Sequence, residues 1–286
     1  MALAERTGGA IVNADSAQIY RDLPVLSAAP SEAERARADH RLYGVRDAAE
    51  ACSAADWAAL ARAEIAGLHA AARLPILVGG TGLYIRTLLD GIAPVPPIDA
   101  EVRREVREAP AEENRRRLEE LDAEAAARLH PGDRARTERA LEVVLSSGRT
   151  LKHWQHSRTG GIGGSVALWP LTLLPPRDWL YARCDDRFGA MVGNGAVSEV
   201  EALLARKLDP SLPAMRAIGV PELSRHLAGE LSLEAAITAG QQATRNYAKR
   251  QYTWFAHQPP QAWPRLYEAL DGGGMAAALE LLGARA

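Results

Sequence analysis

The sequence predicts an α/β fold, a parallel sheet flanked by helices and interrupted by a helical insertion. Three observations predict it. Short apolar runs of buried-strand type, Ala10 to Ala14 and Ile76 to Val78, each lead into a polar or glycine-rich turn. The second is set between two helical patterns, and helix, strand, glycine turn, helix is the rhythm of a parallel sheet. A charged, strand-free stretch from Ala100 to about Leu145 then precedes a further apolar run, Val166 to Leu174, which reads as a returning strand.

In chain order, Met1 to Arg6 reads as the last turns of a helix, stopped by Gly8 and Gly9 before the first strand. Residues 53–73 open with Ser53 as N-cap and Asp56 three positions on, and place Trp57, Leu60, Ala61, Ile65 and Leu68 at helical spacing. The strand Ile76 to Val78 enters the glycine turn GGTG, and a helix from about Leu83 to Leu89 is closed by Gly91. After PVPPID at 94–99 come RREVRE, ENRRRLEELDAEAAARL and ARTERALEVVL, all helical in pattern. Gly160 to Gly164 mark the return, residues 178–206 and 232–256 are again helical, and 266–286 form a glycine-broken amphipathic tail. The boundaries this implies are an α/β core over 1–96, a helical insertion over 97–163, and the core's return with C-terminal helices over 164–286.

Composition narrows the function classes. The chain has 286 residues, 47% of them hydrophobic, enough for a substantial core. Its net charge of −2 leaves attraction to phosphates to local basic patches. Lys152, Lys207 and Lys249 are the only lysines, the rest of the positive charge being Arg. Cys52 and Cys184 are too few and too far apart for a zinc cluster or a disulfide framework, which fits a reducing cytoplasm. No run approaches the roughly 18 consecutive apolar residues of a membrane span.

Two residues stand just past strand ends, where ligands bind in open α/β sheets: Asp15, and Thr81 after Gly79 and Gly80. Asp15 reads equally as a turn former, and GGTG as a tight turn that needs glycine. The functional alternative brings backbone amides and the Thr hydroxyl to an anionic ligand. Arg216 lies in SLPAMRAIGVPEL, between helices, and by itself reads as a solvated charge. The segment TRNYAKRQYTWF, residues 244–255, is more pointed: Arg245, Lys249 and Arg250 alternate with Tyr247, Tyr252, Trp254 and Phe255 and no acid. Arg245 and Lys249 are four apart, a spacing that aligns cations on one helix face; the alternative is a core-packed amphipathic helix with solvated cations. A second basic group, Arg134, Arg136 and Arg139, is diluted by Asp133 and Glu138.

Taken together, IVNADSAQIY at 11–20, HRLYGVRD at 40–47, CSAADW at 52–57, PILVGGTGLYIRTLLDG at 75–91, ARTERALEVVLSSGRTL at 135–151, RAIGVPEL and ATRNYAKRQYTWF resemble the tRNA dimethylallyltransferases, in that family's order and over nearly the whole chain. The resemblance implies a P-loop NTPase-like sheet and transfer of a dimethylallyl group from dimethylallyl diphosphate to the exocyclic amine of the adenosine 3' of the tRNA anticodon. It implies that Asp15 is the base and that Thr81 lies by the reacting diphosphate and the flipped base, with Arg216 binding diphosphate. It implies tRNA contacts from Asp15, Ser16, Ala17 and Gln18, from Ala135, Arg136, Thr137, Glu138 and Arg139, and from Arg245, Asn246, Tyr247, Ala248, Lys249 and Arg250. It also implies Mg2+ as cofactor, with Asp15 the one side chain here to consider for it, the anticodon stem-loop as partner, a cytoplasmic monomer and no membrane.

One departure qualifies the resemblance. Members begin with a strand and a GPTASGKS-type loop; no G-x-x-x-x-G-K-[ST] occurs in this sequence, and MALAERTGG matches only the end of the helix that follows that loop. The expectation is a start at an internal methionine, without the first strand and its loop, and weak transfer by the chain as given. The other readings are an adenylate prenyltransferase or small-molecule kinase on the same fold, and a tRNA-binding remnant without catalysis.

Overall fold

The computed structural model describes residues 1–283, and its chain divides into two compact units, Met1–Thr87 with Ser165–Ala286, and Leu88–Gly164. The expected α/β architecture holds: a three-stranded parallel sheet with helices around it.

In the first unit, α1 (Ala2–Thr7) ends at Gly8, whose left-handed φ of 66° stops the helix as its sequence position predicts. The strand β1 (Ala10–Asn13) is buried at every residue and forms the middle of the sheet. After α2 (Glu32–Arg37), β2 (Asp39–Arg41) pairs with β1 on one side. Helix α3 (Ala54–Ala70) starts from the capping box of Ser53 and Asp56, and lays Trp57, Ala58, Ala61, Ile65 and Leu68 into the core. The strand β3 (Pro75–Val78) pairs with β1 on the other side, with Val12 opposite Leu77 and Asn13 opposite Val78. Its outer edge has no strand partner among the described residues, and Val78 is 48% exposed. Helix α4 (Gly82–Asp90) follows the glycine turn.

The second unit has a core of its own. Helices α5 (Ala100–Glu108), α6 (Ala111–Leu121), α7 (Ala123–Arg128) and α8 (Arg134–Ser147) bury Val106, Leu118, Ala125, Ala126, Ala140 and Leu141 together; α9 (Leu151–Gln155) follows. Asp99, Asp122 and Asp133 cap three of these helices, so the Asp133 that dilutes the basic group of α8 also starts that helix. This unit begins at Leu88 rather than at 97, and closes at Gly164. The cause is backbone pairing: Ile92 and Thr159 exchange hydrogen bonds, and the amide of Gly163 donates to Leu89 O. The crossing is too close for side chains, since a Cβ on Gly161 would stand 2.5 Å from that same oxygen.

The returning strand is a correction. Of Val166 to Leu174 only Thr172–Leu173 (β4) is extended in a ladder, and it pairs with β5 (Arg265–Leu266) outside the main sheet. Pro170 in the middle of the run has no N–H to donate, and Pro175 follows at once. The rest of the unit is helical: α10 (Arg177–Gly193), α11 (Ala196–Ala205), α12 (Val220–Leu227), α13 (Leu233–His257) and α14 (Gly272–Gly283). The stretch 178–206 is two helices because Gly195, at φ 100°, breaks it. The last residues of the predicted tail, 284–286, lie outside the described residues.

Helices α10 and α13 pack closely. Gly240 admits the Phe188 ring, which a Cβ there would meet at 2.1 Å. Arg177 lies 4.8 Å over the ring of Tyr252.

Candidate functional site

The carboxyl ends of β1 and β3 meet at a junction built from Asn13, Asp15, Ser16 and Thr81. Asn13 is fully buried and governs the turn: its Oδ1 accepts the Asp15 N–H at 2.7 Å, and its Nδ2 donates to Asp15 O and Leu42 O, each at 3.0 Å. Its own carbonyl accepts the Trp57 indole N–H at 2.9 Å. The Asp15 carboxylate accepts the Ala17 N–H through Oδ1 at 2.8 Å, which orients it, while no hydrogen bond among the described residues engages Oδ2. Thr81 is bound to the same turn three times. Its N–H donates to Ala14 O at 3.1 Å, its Oγ1 accepts the Ser16 N–H at 3.0 Å, and the two hydroxyls lie 3.2 Å apart. Asp15 and Thr81 thus share one site.

Three phenols feel the Asp15 charge. Tyr43 is pushed up to about 12, by burial first and by the Asp15 carboxylate second. Tyr84 is pushed up by burial, and its ring stacks on Trp57 with centroids 4.6 Å apart. Tyr247 is also raised, by burial and then by Asp15, against the lowering effect of hydrogen bonds with Thr81 and Gln251. These phenols stay neutral across the physiological range, and the Asp15 carboxylate is itself half-buried.

The glycine turn is held from α13. Gln251 Nε2 donates to Gly80 O at 2.9 Å. A Cβ on Gly80 would meet that nitrogen at 2.1 Å, one on Gly82 would meet the Trp254 ring at 2.4 Å, and one on Gly79 would meet the Ala14 backbone at 2.2 Å. Close approach rather than torsion constrains all three positions, most strictly at Gly79, which meets backbone, and least at Gly80, which meets the movable end of Gln251.

The loop that follows Asp15 is fastened at two points. Gln18 Nε2 donates to Ser27 O and Ala28 O, at 3.0 and 2.9 Å. Glu199 on α11 reaches the same loop and accepts the N–H groups of Val25 and Leu26, at 2.7 and 2.9 Å; burial raises its pKa against the effect of those bonds.

Sequence-predicted residues fall unevenly. Arg216 is exposed at the end of a short 3-10 helix, its Nε 3.4 Å from Pro210 O, and no contact joins it to Asp15 or Thr81 among the described residues. On α13, Arg245 and Lys249 do not form a row of free cations: Arg245 is paired with Asp185 on α10, because the two helices pack together. Ala248 is buried and Tyr247 turns inward, which leaves Asn246, Lys249 and Arg250 exposed. In α8, Thr137 is 3% exposed and faces the second unit's interior, Glu138 pairs with Arg134 and Arg136 with Asp133, while Ala135 and Arg139 are exposed. Asn13, Tyr43, Glu199 and Gln251 escaped the sequence reading; for Gln251 the available signal was its place one turn after Tyr247, facing the same way.

Comparison with known proteins supplies the family. The family model described as IPP transferase matches residues 18–258. The chain belongs to the IPP transferase family. Curated relatives named tRNA dimethylallyltransferase include one from Erythrobacter litoralis, 62% identical over 90% of this chain and 81% of its own length. Another, from Novosphingobium aromaticivorans, is 61% identical over 95% of this chain and 97% of its own. Among solved structures, the full-length tRNA isopentenylpyrophosphate transferase of Bacillus halodurans aligns with a TM-score of 0.69 at 28% identity, covering 99% of this chain and 89% of that one. A eukaryotic dimethylallyltransferase described as acting on tRNA aligns with a TM-score of 0.74 at 25% identity, over 88% of this chain and 64% of that one. Membership of the IPP transferase family agrees with the resemblance carried by the motifs.

No helix among the described residues is long and apolar enough to cross a membrane. Nor does any group of three or more His, Cys, Asp or Glu side chains among them form a metal site. The strand-end junction offers one carboxylate, Asp15, and two hydroxyls, so these residues do not make a magnesium site by themselves.

Proposed function

We propose that this chain transfers a dimethylallyl group from dimethylallyl diphosphate to the exocyclic amine of the adenosine 3' of the tRNA anticodon. The observation that carries the reading is the joining of the Asp15 turn to Thr81 at the strand ends, in a chain of the IPP transferase family. An exocyclic adenine amine is a weak nucleophile because its lone pair is delocalised into the ring. As the amine nitrogen bonds to the dimethylallyl carbon, the carbon–oxygen bond to diphosphate breaks and the amine proton passes to the Asp15 carboxylate. Removal of that proton prevents a full positive charge from developing on nitrogen. Asp15 Oδ2 is the oxygen available for it, since Oδ1 is occupied by the Ala17 amide.

Thr81 and the glycine-turn amides are the donors we assign to the leaving diphosphate, and Arg216 is the cation we assign to it once substrate draws its exposed side chain in. Mg2+ would enter with the diphosphate as its counter-ion; no step here rests on it. The adenosine must leave its stack to reach a half-buried carboxylate, which calls for an RNA grip elsewhere. Asn246, Lys249 and Arg250 on α13, with Ala135, Arg136 and Arg139 on α8, are the exposed residues we assign to that grip.

The names of the relatives support a tRNA acceptor over an adenylate or a small-molecule phosphoryl acceptor. Incubation with labelled dimethylallyl diphosphate, Mg2+ and an unmodified anticodon stem-loop tests the choice. Label on the adenosine 3' of the anticodon, absent in Asp15→Asn, is the expected result. Transfer to free adenylate at an equal rate would replace the tRNA reading, and stem-loop binding without product would favour the remnant.

A further inference from the structure

We propose that Tyr247 and Gln251 are positioning residues, which hold the glycine turn and the Thr81 hydroxyl in register with Asp15. The inference rests on the prenyl-transfer reading for its catalytic consequence, though not for its geometry. Tyr247, Gln251 and Trp254 recur at helical spacing, so they share one face of α13. Each bears on a different part of the turn: Gln251 donates to Gly80 O, the Trp254 ring fills the space that a side chain at Gly82 would need, and Thr81 lowers the pKa of the Tyr247 phenol against the rise from burial. Thr81 in turn holds the Ser16 amide, one residue from the Asp15 carboxylate. A path therefore runs from α13 through Gln251 to Gly80, and from its chain neighbour Thr81 to the turn that carries the base.

Away from that face the helix displays Asn246, Lys249 and Thr253, and the exposed Arg250 on its flank lies 5.6 Å over the Tyr247 ring. Because a helix turns as one body, RNA gripped by these residues and the turn held by Gln251 are set relative to each other by a single element. Tyr247, which the sequence groups with the basic residues, works on the turn rather than on the outer surface.

Gln251→Met keeps the volume and removes the donor; Tyr247→Phe keeps the ring and removes the hydroxyl. Both are expected to lower kcat about tenfold while the KM for the stem-loop stays within about twofold, the pattern of impaired geometry rather than impaired binding. Hydrogen exchange at the Thr81 amide, which donates to Ala14 O, is expected to accelerate in Gln251→Met in the protein alone. Unchanged kcat, or a raised KM with unchanged kcat, would overturn the proposal. Should the parent protein make no product, the prenyl-transfer reading fails, and the exchange measurement alone decides: equal Thr81 protection in Gln251→Met and parent overturns the positioning role.

Discussion

Arg245 of α13 places its Nη1 2.5 and 2.6 Å from the two carboxylate oxygens of Asp185 on α10, and its Nη2 2.7 Å from Gln242 Oε1. This residue is a helix-to-helix clamp. Arg245→Ala is expected to lower unfolding stability by about 1 kcal/mol, the value of a partly exposed charged hydrogen bond, as read by urea denaturation. Arg245→Glu would set a carboxylate against Asp185 and cost more. A change in stem-loop affinity larger than the change in stability would return Arg245 to the RNA surface.

The RNA grip is better tested at Lys249 and Arg250, which are exposed and have no acidic partner among the described residues; Arg250 lies 5.6 Å over the Tyr247 ring. In Lys249→Glu with Arg250→Glu, stem-loop affinity is expected to fall. The slope of log affinity against log salt should flatten by roughly one for each phosphate the protein ceases to neutralise. Filter binding at several salt concentrations checks it, and parallel salt lines for variant and parent would remove this face from RNA recognition.

Asp15→Asn keeps an acceptor for the Ala17 amide and so leaves the turn intact. It is expected to lower kcat about 100-fold or more, the usual contribution of a positioned base, with stem-loop binding retained. Single-turnover transfer measures it. Product at the parent's rate would take Asp15 out of the chemistry.

Asp39 controls an acid response. Its hydrogen bond from Arg41, and then that from Arg73, hold its carboxyl below the usual aspartate range despite the opposing effect of burial. A depressed pKa contributes stability above the ordinary aspartate value and loses it as pH falls through the folded value. Asp39→Asn is therefore expected to be less stable than the parent at pH near 7 and to close that gap as the buffer is taken below about 3.9. Urea midpoints at the two pH values decide it; a constant gap would show that the two ion pairs carry no folding energy.

Glu199 is the fastening of the loop after Asp15. Glu199→Ala leaves the Val25 and Leu26 amides without their acceptor and is expected to cost about 2–4 kcal/mol. Hydrogen exchange at those two amides should rise with it. Unaltered exchange would mean that the loop is held by Gln18 alone.

How legible these features were follows from their physics. The strand Ala10–Asn13 and the Ser53 cap were plain because each obeys a local rule, a continuous apolar run and a capping box. The strand Asp39–Arg41 was hidden: three polar residues, partly buried, carry no period, and only pairing with β1 makes them extended. Asp15 and Thr81 were visible as residues past strand ends, yet the bond that joins their turns, from the Ser16 amide to Thr81, spans 65 positions and depends on strand order. Arg245 looked like a surface cation because Asp185, which occupies it, sits 60 residues away on a helix whose packing partner no local pattern reveals.

The glycine turn carries a lesson about which pairs of substitutions can coexist. Gly79 abuts backbone, so no second change makes room for a side chain there, and that position should stay closed in any selection. Gly80 meets the flexible end of Gln251 and Gly82 meets the Trp254 ring, so each can accept alanine once its own neighbour is shortened. Second-site suppressors of damage at 80 and 82 should therefore arise on α13, whereas none should arise for 79.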